Sequence, residues 1–394
     1  MWVSYVDMIS PKSSFQYSGG EDQVFNLGLV IHDMNSTERQ TCMNWINQFG
    51  KFKKWNFVLW PPYENLNDSA FVSFLKERGL IMGAYGYGQL VTPEQRAGQI
   101  DSMVEVFEAR GISVKGVFMF QPDTYSLNYV YEKYGFEYYV GYCFEQYVID
   151  YVTMKGGWQL PYYHSPEHAL RPAQNSRGLV MFPHVIWDWS ASLTVAHHLN
   201  THVLDVYPYM YSNRSQAIDY CLRLIDTSLR CSRPFGYGCT MFEWKSLLSH
   251  QDFNETATEY YKQIIRRYGS ICQLYNDTAA WFRSCYPATP AYEITFTSPY
   301  DNSTIEWYMD LSCRVARYGD YVKSYVVYVN QTDYWLDHVE YINFTLPPTE
   351  TNSIDNSLKF TIDDLGGGWL RDTAKGGSIY YTGKLFDFYH AFRK

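Results

Sequence analysis

His32-Asp33, Asp188 and Glu243 are the residues of this chain whose types and placement suit acid–base chemistry. Each follows a short apolar run. Phe25 to Ile31 leads into His32-Asp33, and Gly178 to Phe182 leads into Pro183-His184-Val185-Ile186-Trp187-Asp188-Trp189. Gly238 to Phe242 leads into Glu243-Trp244. Two carboxyls facing one glycosidic bond act as general acid and as nucleophile or base, and their separation sets the stereochemical outcome. Asp33, Asp188 and Glu243 are therefore the candidate catalytic acids. Trp60, Tyr85, Tyr87, Asp123, Trp187 and Tyr207 stand at similar run ends and form a candidate substrate-binding set. A flat ring covers the apolar face of a pyranose while the sugar hydroxyls stay wet. Each acid also has a plainer role open to it, capping a helix or pairing with arginine. A glycan on Asn35, two residues past Asp33, would crowd that same rim.

A divalent metal is the candidate cofactor, with His32, Asp33 and His184 as its ligands. His164-Ser165-Pro166-Glu167-His168 matches the H-x-x-E-H pattern by letter. Pro166 sits where a helix would have to carry both histidines on one face, so the match is coincidental. His198 and His202, four apart on a possible helix, read as a wet helix face. There is no G-x-G-x-x-G, Walker A or G-x-S-x-G pattern.

The elements that must position these residues follow one period. Thr92-Pro93-Glu94-Gln95 opens a helix with a cap, a proline at the first position and a residue able to close a capping box. Ala97, Ile100, Met103, Val104 and Phe107 continue it at helical spacing, and Gly111 stops it. The strand Gly116 to Phe120, a helix over Tyr125 to Tyr134 and the strand Glu137 to Tyr142 follow. Before them come strands at Phe25 to Ile31, Trp55 to Trp60 and Leu80 to Tyr85, each separated by a helix. After them, Gly156 to Asn175 reads as a long loop, Thr201 to Tyr207 as a strand and Ile218 to Leu229 as an amphipathic helix. This order predicts an α/β fold, a (β/α)7–8 TIM-like barrel over residues 25–287, behind a polar arm over 1–24. In such a barrel, residues just past the strands converge at one mouth.

Pro287-Ala288-Thr289-Pro290 marks a boundary. Beyond it the pattern alternates with period two, over Glu293 to Ser298, Ile305 to Arg314, Tyr321 to Asn330, His338 to Phe344, Ser357 to Ile362 and Ser378 to Phe386. A β-sandwich over 291–394 is expected.

Composition narrows the function classes. A net charge of −9 argues against a nucleic-acid partner, which needs clustered Lys and Arg. No apolar run is long enough to span a bilayer. Asn-x-Ser/Thr sequons at Asn35, Asn67, Asn213, Asn254, Asn276, Asn302, Asn330 and Asn343 favour an extracellular or cell-surface glycoprotein. The eight cysteines fit the same compartment, with disulfides expected over zinc among Cys221, Cys231, Cys239, Cys272 and Cys285. Met1-Trp2-Val3-Ser4-Tyr5 lacks the basic start and apolar stretch of a signal peptide.

From Phe25 to about Tyr142 the chain resembles the polysaccharide deacetylase (NodB-homology) family, itself related in shape to some glycoside hydrolase barrels. The resemblance lies in the order: a strand ending in an acid, two further strand–helix steps, "TPEQ" opening a helix, then "YVYEKYGFEYY" before a strand. It implies a barrel acting on a polysaccharide through a metal held by one Asp and two His, with a second Asp as base. Here His32-Asp33 stands in place of two adjacent acids. Tyr85-Gly86-Tyr87-Gly88 stands where the family has its two histidines, and Gln121-Pro122-Asp123-Thr124 in place of its Arg-x-Pro-Tyr. The expectation is thus a carbohydrate-active hydrolase using rim acids. The alternative is a non-catalytic surface glycoprotein that binds glycans or joins a surface assembly.

Overall fold

The computed structural model describes residues 22–85, 93–118, 124–141, 159–191, 199–249, 251–311, 313–318, 321–327, 359–362, 369–372 and 377–380. The first part is a regular alternation: β1 (Gln23–Ile31), α1 (Ser36–Asn47), β2 (Trp55–Leu59), α2 (Ser69–Arg78), β3 (Gly79–Ala84), α3 (Pro93–Glu108), β4 (Gly116–Phe118), α4 (Thr124–Tyr134) and β5 (Tyr138–Val140). Asn35 starts α1 with a reciprocal cap, its side chain accepting from Glu38 N–H while Glu38 accepts from Asn35 N–H. Asp68 caps α2 by accepting from Phe71 N–H at 3.0 Å and pairs with Arg39 at 2.8 Å, which ties α2 to α1.

A hairpin, β6 (Tyr162–Ser165) and β7 (His168–Pro172), occupies the stretch expected to be a loop. There follow β8 (Val180–Phe182), α5 (Val203–Val206), α6 (Arg214–Cys231), β9 (Ser232–Arg233), β10 (Gly236–Glu243), α7 (Trp244–Ser249), α8 (Gln251–Tyr268), β11 (Cys272–Gln273) and α9 (Tyr275–Cys285). Thr201 to Tyr207, expected as a strand, instead enters the short helix α5.

The first sheet runs β10-β1-β2-β3-β4-β5-β8-β6-β7, parallel from β10 to β8. Eight of the nine residues of β1 are buried, as a parallel strand covered on both faces requires. The sheet curls until its two parallel ends approach. The rings of Phe182 (β8) and Tyr237 (β10) stack at 6.1 Å, and the Cys239 thiol donates to Pro183 O at 3.2 Å. No ladder joins β8 to β10 among the described residues, because β8 already pairs with β5 on one side and antiparallel β6 on the other. Thr201 fills that seam. Its hydroxyl donates to Cys239 O at 2.7 Å, its N–H donates to Ile186 O, and its carbonyl accepts from Thr240. The architecture is a curled parallel half-barrel closed by a side-chain seam.

The amino end of the curl is plugged by the first turn of α9. Asn26 donates to Gln273 O at 3.0 Å and to Thr278 Oγ1 at 2.9 Å, and accepts from the Tyr237 hydroxyl at 2.9 Å. Asn56 accepts from Tyr275 N–H at 2.8 Å. These asparagines are fully buried, and their partners repay the desolvation.

The second sheet is antiparallel: β12 (Tyr292–Thr297), β13 (Thr304–Met309), β14 (Cys313–Tyr318), β15 (Tyr321–Val327), β16 (Lys359–Ile362), β17 (Trp369–Asp372) and β18 (Gly377–Tyr380), with β9 at the β12 edge. The described strands lie in one sheet, where two packed sheets were expected. The expected strand Ile305 to Arg314 divides into β13 and β14, with Met309 opposite Arg314 across the turn. The expected strand His338 to Phe344 lies outside the described residues.

Cys42, Cys221, Cys231, Cys239, Cys272 and Cys285 are free thiols, all but Cys285 buried. This corrects the disulfide expectation for the described residues: Cys221, Cys231 and Cys239 donate to the carbonyls of Asn200, Ser228 and Pro183 respectively. Among the described residues no helix is long and apolar enough to cross a membrane.

Candidate functional site

The carboxyl end of the curl gathers part of the expected set. Val30 lies opposite Glu243 in the β1–β10 register, so the two share the inner face. His32 continues that face two residues past Val30 and feels the Glu243 carboxylate. Burial holds the His32 imidazole below its ordinary range, and Lys245 adds to this. Glu243 and Asp33 oppose it. The Trp60 ring lies 5.6 Å from His32, Phe118 lies 6.2 Å from Trp60, and His184 lies 5.8 Å from Phe118. His32 and His184 are thus linked at the strand ends through a series of ring contacts by way of Trp60 and Phe118.

Asn65 locks the start of this rim. Its side chain donates to His32 O at 2.8 Å and accepts from Met34 N–H at 3.1 Å, while its own N–H donates to Asp33 Oδ1 at 3.0 Å. That leaves Asp33 Oδ2 and His32 Nδ1 buried with no hydrogen-bond partner. Polar atoms withdrawn from water and left unmet are costly, and a ligand that met them would remove that cost. Asn65 was not singled out from sequence. Its signal is a polar residue between Pro61-Pro62 and the helix cap Asp68.

Asp188 is elsewhere. It is fully buried, with Oδ1 accepting from Ser190 and Ala191 N–H at 3.0 and 2.7 Å. Oδ2 accepts from the Tyr220 and Ser298 hydroxyls at 3.2 and 2.7 Å. Burial pushes its carboxyl up, against the pull of these four donors. A carboxylate so enclosed has no lone-pair direction left for a substrate, so Asp188 is an anchor, not a rim acid. Trp187 is buried and bridges Asn200, and Tyr207 packs its ring on Phe253 of α8 at 6.3 Å, away from the inner face. Tyr85 is buried at the end of β3. Tyr87 and Asp123 lie outside the described residues.

His202, expected on a wet helix face, is largely covered instead. His202 stands over the Phe242 ring at 4.4 Å, with Nδ1 3.4 Å from Asp205. Asn200 donates to Asp205 Oδ2 at 2.9 Å and accepts from His202 N–H at 2.7 Å. Phe242 precedes Glu243 in the strand, so this group sits on the helix-facing side of β10. His202 is nevertheless close enough to help hold His184 below the ordinary histidine range, with burial the larger cause.

Among the described residues no three His, Cys, Asp or Glu side chains meet as a ligand set. Each of the two histidines named for the ion contacts an aromatic ring, His32 that of Trp60 and His184 that of Phe118.

A family model described as a Domain of Unknown Function with solved-structure structure (DUF3863) matches residues 71–201. No curated protein matches the sequence. Among solved structures, the chain is similar to 4-alpha-glucanotransferase from Thermococcus litoralis, at 10% identity and a TM-score of 0.33, over 77% of this chain and 65% of that one. It thus spans just under two thirds of that enzyme. Peptidoglycan deacetylase PdaC from Bacillus subtilis is similar at 11% identity and a TM-score of 0.25, over 63% of this chain and 98% of that one. A mutant of BA3943, a CE4 family pseudoenzyme, is similar at 11% identity and a TM-score of 0.26, over 58% and 68%. These likenesses are too slight to carry chemistry to this chain.

Proposed function

We infer that the inner carboxyl-end rim binds a sugar chain and that Asp33 and Glu243 act on it as the carboxyl pair of a polysaccharide hydrolase. The observation that carries this is that Asp33 Oδ2 and His32 Nδ1 are both buried without a hydrogen-bond partner, while His32 feels the Glu243 carboxylate and lies beside the Trp60 ring. Asn65 fixes one oxygen of Asp33 and aims the other, which suits a base or nucleophile. Glu243 supplies the second carboxyl, and the charges of both carboxylates act on His32. Trp60 offers the ring on which a pyranose stacks. Metal-dependent deacetylation is the weaker chemistry here, since the described residues offer no ligand set. That same observation favours a second reading, glycan binding without turnover, as on a cell-surface protein. An extracellular or cell-surface location rests on the sequons alone; Asn35, Asn67, Asn213 and Asn302 are exposed, while the described thiols are unpaired.

The test is hydrolysis of cello-, xylo- and chito-oligosaccharides by the wild type, Glu243→Gln and Asp33→Asn. Loss of about 100-fold or more in kcat in both variants, with binding retained, is expected. Turnover unchanged in both would sink the assignment. Binding with no wild-type turnover would leave the second reading.

A further inference from the structure

Asp188 joins the two sheets at a point only four residues past His184. We propose that Asp188 is a positioning residue, through which the β12–β13 hairpin of the antiparallel sheet sets the rim segment 183–191. This rests on the rim being the ligand site. Ser298, just past β12, donates to Asp188 at 2.7 Å, and Ser190 and Ser303 share a hydrogen bond of 2.6 Å. Trp189 packs on Trp307 of β13 with ring centres 5.4 Å apart. Three successive residues of the segment thus hold the hairpin. On the other side the segment is bound to the seam: Asp188 N–H donates to Leu199 O at 2.8 Å, and Ile186 N–H donates to Thr201 Oγ1 at 2.9 Å. Hydrogen bonds therefore run from Ser298 through Asp188 to the seam, two residues along the chain from His184, whose ring meets Phe118 edge-on at the rim.

The chemistry of the anchor explains the residue type. A carboxylate takes two backbone N–H donors on one oxygen and two hydroxyls on the other without needing to donate. Asparagine can keep its oxygen on Ser190 and Ala191 and donate to Tyr220 and Ser298, whose hydroxyls turn to accept. Alanine leaves all four unmet. A rim acid would show the opposite ranking, since asparagine removes its proton chemistry while preserving its shape.

The experiment uses the full chain and reads the His184 imidazole resonance by NMR, assigned through its loss in His184→Gln. Binding of the same oligosaccharides by calorimetry is the second readout. Ser298→Ala, which keeps the anchor but removes the donor from the hairpin, is expected to move the His184 resonance and weaken binding about five-fold, as one lost hydrogen bond would. Asp188→Asn is expected to leave both near wild type. An unmoved resonance and unchanged affinity in Ser298→Ala overturn the proposal. So does an Asp188→Asn protein with its His184 resonance in place and turnover abolished, which makes Asp188 catalytic. If no sugar binds even the wild type, the rim reading has failed, and the resonance still decides whether the hairpin sets His184.

Discussion

Acid should destabilise this protein through His164, and the size of the effect can be worked from its surroundings. His164 is 1% exposed on β6, where its Nδ1 accepts from Leu179 N–H at 2.8 Å and its Nε2 faces Asn128 Oδ1 at 3.2 Å. Nδ1 must therefore be bare and Nε2 protonated, the neutral ring. Burial pushes the imidazole down to about 4 from its ordinary 6.5. The Arg283 guanidinium adds to this. The folded value lies below the unfolded one, so the unfolded chain takes the proton first. Stability is full above pH 6.5 and falls as the pH drops towards 4, by about 2 kcal/mol at pH 5 and about 3 at pH 4. Urea unfolding of the wild type and His164→Gln at pH 7.5 and 5.0 isolates the effect. Glutamine can still present a carbonyl to Leu179 and does not titrate. His184, also held low, is common to both proteins and cancels. The wild type should lose about 2 kcal/mol more than the variant between the two pH values. Equal losses would refute the neutral buried ring.

Two further substitutions probe the frame around the site. Gly178 has φ +112°, and a Cβ there would come within 2.6 Å of His164 O. Gly178→Ala should therefore cost about 2 kcal/mol or more in urea unfolding, and wild-type stability would disprove the close approach. Asn26→Leu strips the partners from Tyr237, Thr278 and Gln273 O at the buried amino-end plug. A loss of about 2–4 kcal/mol is expected by the same assay, with a neutral result excluding the plug as a source of stability.

Much of the first sheet was legible because a buried parallel strand is a short apolar run between breakers, and β1, β2, β3, β4, β5, β8 and β10 all read that way. The caps at Asn35 and Asp68 are made within three residues, a local signal that the sequence reading did not use. What sequence could not supply was long-range. Tyr162–Ser165 is a strand only because β8 has a free side for it. Thr201 lies in an apolar, β-branched stretch that reads as a strand, yet its hydrogen bonds go to Ile186 on one side and Cys239 on the other. Asp188 looked like Asp33 from its place after an apolar run. Ser298, which helps to enclose Asp188, is 110 residues away. His32 and Glu243 could be named as candidates from sequence because both follow strand ends. Asn65, which aims Asp33, was missed because it lies in a turn with no period.

The Pro287 to Pro290 stretch separates the two sheets along the chain, whereas Asp188 joins them in space. A chimera spliced at that stretch would take Ser298, Ser303 and Trp307 from one parent and Asp188, Ser190 and Trp189 from the other. Viable crossovers must inherit these two triplets together. The recombination unit of this protein is therefore wider than its sequence boundary suggests.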